Sequence, residues 1–138
     1  MEAKIKWIDG VSFVAEATSG HAIVVDGAPE FGGRNTGSRP MELILMGLGS
    51  CAAFDITIIL RKARQAFTGL QVELKAERAD TIPAVFTQIT MCFVVTGSNI
   101  NEQAVAKAVS LSIDKYCSVA EMLRAGGVIV TYKHRVAE

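Results

Sequence analysis

Three cysteines, Cys51, Cys92 and Cys117, are the residues of this sequence whose type best suits covalent chemistry. A thiolate can attack a peroxide, and the resulting sulfenic acid can condense with a second thiol to form a disulfide. An odd number of cysteines without a dense framework argues against the disulfide-bonded folds of secreted proteins. The sequence therefore predicts a cytoplasmic protein in which thiols are kept for reaction or for packing.

Cys51 and Cys117 are the two candidates for a reactive pair. Cys51 follows Pro40 by 11 positions (51 minus 40) in a predicted helix, and the small residues around it leave space for a substrate or another backbone. Packing is the alternative for Cys51, because free cysteine is among the most buried residue types. Cys117 directly precedes Ser118, the predicted cap of a short helix, where the positive helix end favours a thiolate.

The third cysteine and the two histidines are weaker candidates for functional residues. Cys92 lies in a predicted strand with no helix terminus and no basic residue to activate it, so we assign it to packing. His21 and His134 form no H-x-x-x-H pattern and the cysteines form no C-x-x-C pattern, so the sequence predicts no metal site and no cofactor. A Cys/His acyl-transfer site stays open, although no motif places a histidine beside a thiol. Redox chemistry of Cys51 and Cys117 is the remaining interpretation.

Composition and charge narrow the possible partners. Half of the residues are hydrophobic, and 14 basic residues balance 14 acidic ones. A chain without excess positive charge does not attract polyanions, so nucleic acid is not an expected partner. The first ten residues lack the basic start and apolar core of a secretory signal. The most apolar segment, residues 43–60, is interrupted by Gly47, Gly49 and Asp55, which predicts a buried helix and no membrane span.

Apolar periodicity and turn residues predict the element order βββ-α-ββ-αα-β. The expected elements are three short antiparallel strands within residues 1–26, a loop at 26–40, a helix from Pro40 to about Ala66, a hairpin of strands 72–77 and 86–96, a helix capped by Asn99 and Glu102, a short helix from Ser118, and a strand at 128–136. This order favours one α+β domain, 1–138, with antiparallel sheet and a buried central helix.

Two segments resemble the OsmC/Ohr family of osmotically inducible and organic hydroperoxide resistance proteins. They are Pro40-Met-Glu-Leu-Ile-Leu-Met-Gly-Leu-Gly-Ser-Cys51 and Tyr116-Cys117-Ser-Val119. The likeness covers nearly the whole chain and is greatest to the YhfA-like subgroup. It implies an OsmC-like fold, in which antiparallel sheets wrap around a long buried central helix, and an intertwined homodimer.

The resemblance also implies a function and a set of site residues. It implies a thiol-dependent peroxidase that reduces organic hydroperoxides in oxidative stress defence, with Cys51 as the attacking thiolate, Cys117 as the resolving thiol and a dihydrolipoyl-type dithiol as reductant. The family's arginine comes from the early strands, which contain none here, so Arg34 or Arg39 would replace it. Glu42 stands one position beyond the family's glutamate. The alternative is a non-catalytic OsmC-like protein that binds an apolar or acyl ligand in the dimer-interface pocket.

Overall fold

The strands and helices follow the predicted order in a computed structural model that describes all 138 residues. The elements are β1 Ala3–Asp9, β2 Ser12–Ala17, β3 Ala22–Val25, α1 Pro40–Lys62, β4 Gly69–Arg78, β5 Phe86–Thr96, α2 Glu102–Leu111, α3 Ser118–Ala125 and β6 Ile129–Ala137, with a 3₁₀ turn at Pro29–Phe31 and a π-helical segment at Ser112–Tyr116. The α+β class is therefore confirmed. The chain divides into two units, Met1–Ile44 and Leu45–Glu138. A single domain stays a prediction.

The first unit contains the antiparallel sheet β1-β2-β3, as expected. Alternating apolar residues set its register: Trp7 pairs with Phe13, and Phe13 pairs in turn with Val25. A tight turn at Gly10, which has a φ of 52°, joins β1 to β2. A left-handed backbone is accessible to glycine at little steric cost, so this position fixes the first hairpin.

A buried carboxylate organises the glycine-rich loop after β3. Asp26 is 1% exposed. It accepts hydrogen bonds from the Thr36 hydroxyl and from the backbone N–H groups of Gly27, Arg34 and Thr36. The hydroxyl hydrogen bond from Thr36 and these backbone donors lower the pKa of Asp26 to about 2, against a smaller opposing effect of burial. The loop is irregular, as its composition predicts, but it is held by one side chain.

The second unit contains the sheet β4-β5-β6, with β5 in the centre. β4 and β5 pair as the predicted antiparallel hairpin. β5 and β6 are parallel, with Phe93 opposite His134, so the expectation of purely antiparallel sheets is wrong for this pair. The reason is the connection: α2 and α3 lie between the two strands, and a helical crossover of this length returns the chain in the same direction.

Helix α1 ends at Lys62, earlier than the predicted Ala66. Arg64 has a φ of 57°, and the backbone N–H of Gln65 donates to the Leu60 carbonyl at 2.9 Å. A left-handed residue followed by a hydrogen bond from a backbone N–H to the carbonyl five residues back is a common helix C-terminus. Arg64 and Gln65 therefore terminate the helix and do not form a further helical turn.

The two long faces of α1 differ in burial. One face carries the buried residues Leu48, Gly49, Ala52, Ile56 and Leu60. The other exposes Ile44, Met46, Phe54 and Ile58, with Phe54 70% exposed. The predicted buried helix is therefore buried on one face only within one chain. By length and composition α1 could also cross a membrane, but the core helix of a protein outside membranes meets the same criterion.

The cap of α2 differs from the sequence prediction by two residues. Asn101, and not Asn99, accepts from the backbone N–H groups of Gln103 at 2.9 Å and Ala104 at 3.2 Å. Asn99 has a φ of 56°, whereas an N-cap residue adopts an extended backbone. The predicted Asn99–Glu102 capping box is therefore wrong, although the helix itself is confirmed.

Candidate functional site

Cys51 lies in the middle of α1, where the helix contacts β4. Gly49 is buried, and a Cβ atom there would lie 2.9 Å from Leu74 Cδ1 of β4. Glycine at this position leaves room for the end of the Leu74 side chain beside the helix. Cys51 itself is half-buried. The local sequence therefore places the thiol on a packed helix with one side still accessible.

Cys117 is positioned by the π-helical segment and by α3. Its backbone N–H donates to the Ser112 carbonyl at 2.7 Å, five residues back, which closes the π turn. Its Sγ atom accepts from the Ala120 backbone N–H at 3.5 Å. Cys117 is therefore itself the N-cap of α3, and the predicted cap, Ser118, is the first residue of the helix. The side chain is buried, with the residue 2% exposed.

Cys51 and Cys117 meet beside Asp55. Their sulfur atoms and a carboxylate oxygen of Asp55 all lie within 4.8 Å of one another. Cys51 and Asp55 share one face of α1, one turn apart, and Cys117 approaches from the segment before α3. No histidine belongs to this cluster, so the geometry gives no support to a Cys/His acyl-transfer site. Sequence spacing could not reveal the group, since 66 positions (117 minus 51) separate the two thiols.

A buried serine orients the carboxylate of the cluster. The Ser112 hydroxyl lies 3.2 Å from Asp55 Oδ2 and 3.2 Å from the Ala52 carbonyl, and it can donate to either oxygen. Ser112 is fully buried, so this hydroxyl needs such an acceptor. The spacing of four positions on a helix predicts that Asp55 faces Cys51, but Asp55 was not among the predicted site residues. Ser112 was not predicted, and no local signal indicates it.

Burial raises the pKa of the Cys117 thiol. Desolvation raises the pKa of this thiol from 9.0 to about 11. The hydrogen bond and the charge of Cys51 raise it as well, whereas the backbone N–H groups of Ala120 and Val119 lower it. The prediction that the helix end makes Cys117 a favourable thiolate is therefore wrong, because desolvation outweighs two backbone donors. Cys117 is a thiol at neutral pH.

A hydrogen-bonded network fixes the π-helical segment to α3 and β6. Arg124 of α3 donates to Asp114 at 2.8 Å and to the Val130 carbonyl at 2.9 Å. The Tyr132 hydroxyl donates to the other oxygen of Asp114 at 2.6 Å. The Tyr132 hydrogen bond, followed by that of Arg124, lowers the pKa of Asp114, and the same bond raises the pKa of Tyr132. These residues anchor the turn that carries Cys117, and no local motif indicated them.

The predicted supporting residues belong to the first unit and have partners there. The Arg34 guanidinium donates to the Asp9 carboxylate. Arg39 donates to Asn35 Oδ1 at 2.7 Å, and Glu42 accepts from the Arg39 backbone N–H at 2.8 Å. Glu42 thus satisfies a free N–H at the start of α1. A role for Arg34, Arg39 or Glu42 at the thiols stays a prediction.

Cys92 lies on the opposite face of β5 from the buried apolar side chains, as predicted. Its register partners are Glu73 on β4 and Lys133 on β6. Together with Lys75 and Arg135 they line a groove of about 340 Å³. The expectation that Cys92 has no basic neighbour is therefore wrong. The pairing of β6 beside β5 brings in these cations, and the order of strands in the sheet was not part of the sequence prediction.

An apolar groove opens next to the cluster. It has a volume of about 370 Å³ and is lined by Asp55, Ile58, Ile59, Lys62, Leu111 and Tyr116. Asp55 and Lys62 are two helical turns apart on α1, so the groove has a carboxylate at the thiol end and an ammonium group at the other. Its walls are aliphatic and aromatic. The arrangement suits an extended apolar group with one end beside Asp55.

Comparisons with known proteins agree with this architecture. A sequence profile of the family described as OsmC-like protein matches residues 33–133. Protein YhfA of Escherichia coli (strain K12) is 42% identical over 139 residues, which cover 99% of this chain and 98% of that protein. These matches cover most of the chain at an identity that shows common descent.

Solved structures extend the agreement to the fold. A hypothetical protein from Aquifex aeolicus VF5 superposes with a TM-score of 0.82 at 29% identity, covering 99% of this chain and 97% of the other. An organic hydroperoxide resistance protein OsmC from Legionella pneumophila superposes with a TM-score of 0.71 at 17% identity, covering 99% and 96%, which shows a shared fold. The OsmC-like fold predicted from the two cysteine motifs is confirmed. The chain is thus a homologue of YhfA and belongs to the OsmC-like protein family.

Proposed function

We propose that this protein is a thiol-dependent peroxidase that reduces organic hydroperoxides through Cys51 and Cys117. The observation that carries the proposal is the approach of the two sulfurs to within 4.8 Å. A disulfide bond is about 2.05 Å long, so the sulfurs need to approach by about 2.8 Å or less. Family membership and the fold shared with an organic hydroperoxide resistance protein support the substrate class.

The difference between the two thiols supports different roles for them. Cys51 is half-buried and accessible, whereas Cys117 is buried and its pKa is raised to about 11 by desolvation. A thiolate is the nucleophile towards peroxides, so the protonated Cys117 is poorly suited to the first attack. The resemblance to the family assigns the same order. Cys51 is therefore the attacking group and Cys117 the resolving group.

The reaction proceeds in three balanced steps. The Cys51 thiolate attacks the terminal peroxide oxygen, the O–O bond breaks, and the alkoxide leaves as an alcohol after taking up a proton, which leaves a sulfenic acid on Cys51. The Cys117 thiol then attacks this sulfur, an S–S bond forms, and water leaves. A dithiol reductant supplies two electrons and two protons through a mixed disulfide and restores both thiols.

The exposed face of α1 supports the homodimer that the family resemblance implies. Met46, Phe54 and Ile58 lie at intervals of eight and four positions on α1 and form an exposed apolar stripe. Contiguous exposed apolar surface of this kind marks an interaction site. We therefore propose that a second copy covers it. Phe54→Lys should yield a monomer by light scattering, and an unchanged dimer would exclude this face.

The proposed location is the cytoplasm, because all three cysteines are free. A reducing compartment keeps such thiols available, and a dithiol reductant is present there. Nucleic acid is not proposed as a partner, because the 14 basic residues are balanced by 14 acidic ones.

Peroxide consumption tests the proposed activity. The reduced protein is mixed with cumene hydroperoxide or tert-butyl hydroperoxide and a dithiol such as dihydrolipoamide. Cys51→Ser should abolish turnover, whereas Cys92→Ser is the matched control and should retain it. Cys117→Ser should still consume one equivalent of peroxide and accumulate a sulfenic acid that dimedone traps. An unchanged rate in Cys51→Ser would refute the proposal.

The apolar groove favours a second candidate function, the binding of an apolar or acyl ligand without catalysis. Its volume of about 370 Å³ and the walls formed by Ile58, Ile59 and Leu111 suit a hydrocarbon chain. Native mass spectrometry of the purified protein distinguishes the two candidates. A co-purified apolar ligand together with thiols inert to peroxide would favour binding, and peroxide turnover would favour the enzyme.

A further inference from the structure

The cluster beside α1 has the composition of a metal site as well as that of a redox pair. Cys51, Cys117 and Asp55 supply two sulfurs and one carboxylate oxygen, all within 4.8 Å of one another. Two thiolates and a carboxylate carry three negative charges, and no lysine, arginine or histidine belongs to the cluster. Local sequence spacing predicted no metal site, because the three ligands come from two distant segments.

We propose that Cys51, Cys117 and Asp55 form a binding site for a zinc-class divalent cation, which holds both sulfurs as thiolates and keeps them from peroxide. Binding rests on the three ligands alone. Only its effect on turnover rests on the proposed function. On binding, each thiol releases one proton and forms one bond to the ion.

The distances fit a tetrahedral ion after a small contraction. Zn–S bonds of about 2.3 Å place two sulfur ligands about 3.8 Å apart in a tetrahedron. The three atoms lie within 4.8 Å, so each pair needs to close by about 1 Å or less. Rotation of side chains on a fixed backbone can supply a change of this size. Cys51 and Asp55 lie on one face of α1, so two of the three ligands belong to one rigid element.

The surroundings of the ligands match those of known metal sites. Ser112 lies 3.2 Å from Asp55 Oδ2 and is fully buried, so it orients the ligating carboxylate from the second layer. The Ala120 backbone N–H already points at the Cys117 sulfur and would stabilise a thiolate there. Cys51 and Asp55 are half-buried, which leaves the fourth position open to water. Two sulfur ligands select zinc-class ions over magnesium or calcium.

Cobalt(II) titration of the reduced protein under anaerobic conditions tests the site without peroxide. Wild type and Cys92→Ser should each bind one Co²⁺ per chain, with sulfur-to-cobalt charge-transfer absorption and the visible bands of a tetrahedral ion, and Zn²⁺ should displace it. Cys51→Ser and Cys117→Ser should each lose about half of the charge-transfer absorption and bind more weakly. Ser112→Ala should weaken binding by about 10- to 100-fold, the effect typical of a lost second-layer contact.

The control variants make each outcome decisive. Circular dichroism checks that each variant is folded, and Asp55→Asn provides a second ligand variant that removes a charge with little change of shape. Absence of charge-transfer absorption in wild type, or full absorption in Cys51→Ser, would overturn the proposal. Peroxide consumption with and without Zn²⁺ is measured separately. Cobalt binding without any peroxide turnover would therefore refute the proposed peroxidase and support the metal site. Peroxide turnover without cobalt binding would refute the metal site and support the peroxidase.

Discussion

Alkylation of Cys117 in the folded protein should be at least about 100-fold slower at pH 7.5 than alkylation of the same thiol in the unfolded chain. Desolvation is the largest cause that raises its pKa from 9.0 to about 11. Below both values each pKa unit lowers the thiolate fraction tenfold, so two units correspond to about 100-fold. The thiolate is the reactive form, and a residue that is 2% exposed also restricts access.

The assay follows iodoacetamide labelling by peptide mass spectrometry. The Cys92→Ser variant is used reduced and with a chelator, so that only Cys51 and Cys117 react and no metal protects them. Initial labelling rates of Cys117 should rise about tenfold per pH unit between pH 7 and 10, without a plateau. The unfolded chain in guanidinium is the reference, and Cys51, which is half-buried, is the internal comparison and should react first.

Two results would refute the reasoning. A plateau in the Cys117 rate near pH 9 would show that burial does not control its protonation. A rate within a few fold of the unfolded chain would show that the sulfur is accessible. Either result would remove the basis for assigning Cys117 as the resolving thiol.

Three further perturbations test the supporting structure. Tyr132→Phe removes a hydrogen bond to the Asp114 carboxylate and should lower the free energy of unfolding by about 1 kcal/mol in urea titrations, and no change would show that this bond is dispensable. Gly49→Ala should change the free energy of unfolding by less than about 1 kcal/mol, because alanine gains about 1 kcal/mol of helix propensity while the end of the Leu74 side chain has to shift away from the added Cβ, and a loss above about 3 kcal/mol would show that Leu74 cannot move. Asp26 has a folded pKa of about 2, below its ordinary 3.8, so its contribution is present above pH 3.8 and is lost as the pH falls towards 2. Asp26→Asn should flatten that part of the Tm–pH profile, and an unchanged acid slope would assign it to other carboxylates.

The element order was predictable because periodicity and turn residues are local. The alternation of Ile89, Met91, Phe93 and Val95 indicated one buried face of β5, and these residues are fully buried. The direction of β6 was not predictable in the same way, because strand pairing depends on how α2 and α3 cross the sheet. The same limit applies to Cys92, whose basic neighbour Lys133 comes from a strand 41 positions away (133 minus 92).

The ends of helices were the least predictable features. Asn99 and Asn101 have the same side chain, and only the backbone decides which one can cap: Asn99 is left-handed, whereas Asn101 is extended. The end of α1 depends in the same way on the left-handed backbone of Arg64. Residue type limits these choices, but tertiary contacts select among neighbouring candidates.

The candidate thiols were identifiable from motifs, but their chemical difference was not. Sequence placed Cys117 at a helix terminus, which favours a thiolate, and the structure adds that the same residue is buried against α1. The relative sizes of these effects decide the outcome: two weak backbone donors do not compensate for removing a charged sulfur from water. Burial is a property of the assembled fold, so a local motif could not give the direction of the pKa shift of Cys117.

The π-helical segment links the geometry of the pair to its chemistry. Its closing bond joins the Cys117 N–H to the Ser112 carbonyl, so these two residues face α1 from consecutive turns. Ser112 then contacts Asp55 while Cys117 approaches Cys51, and both contacts depend on the extra residue in the turn. An α-helical turn would rotate Cys117 by about 100° for each residue removed and separate it from Cys51. π turns often occur at functional sites, and here the turn sets both the distance between the sulfurs and the orientation of the carboxylate beside them.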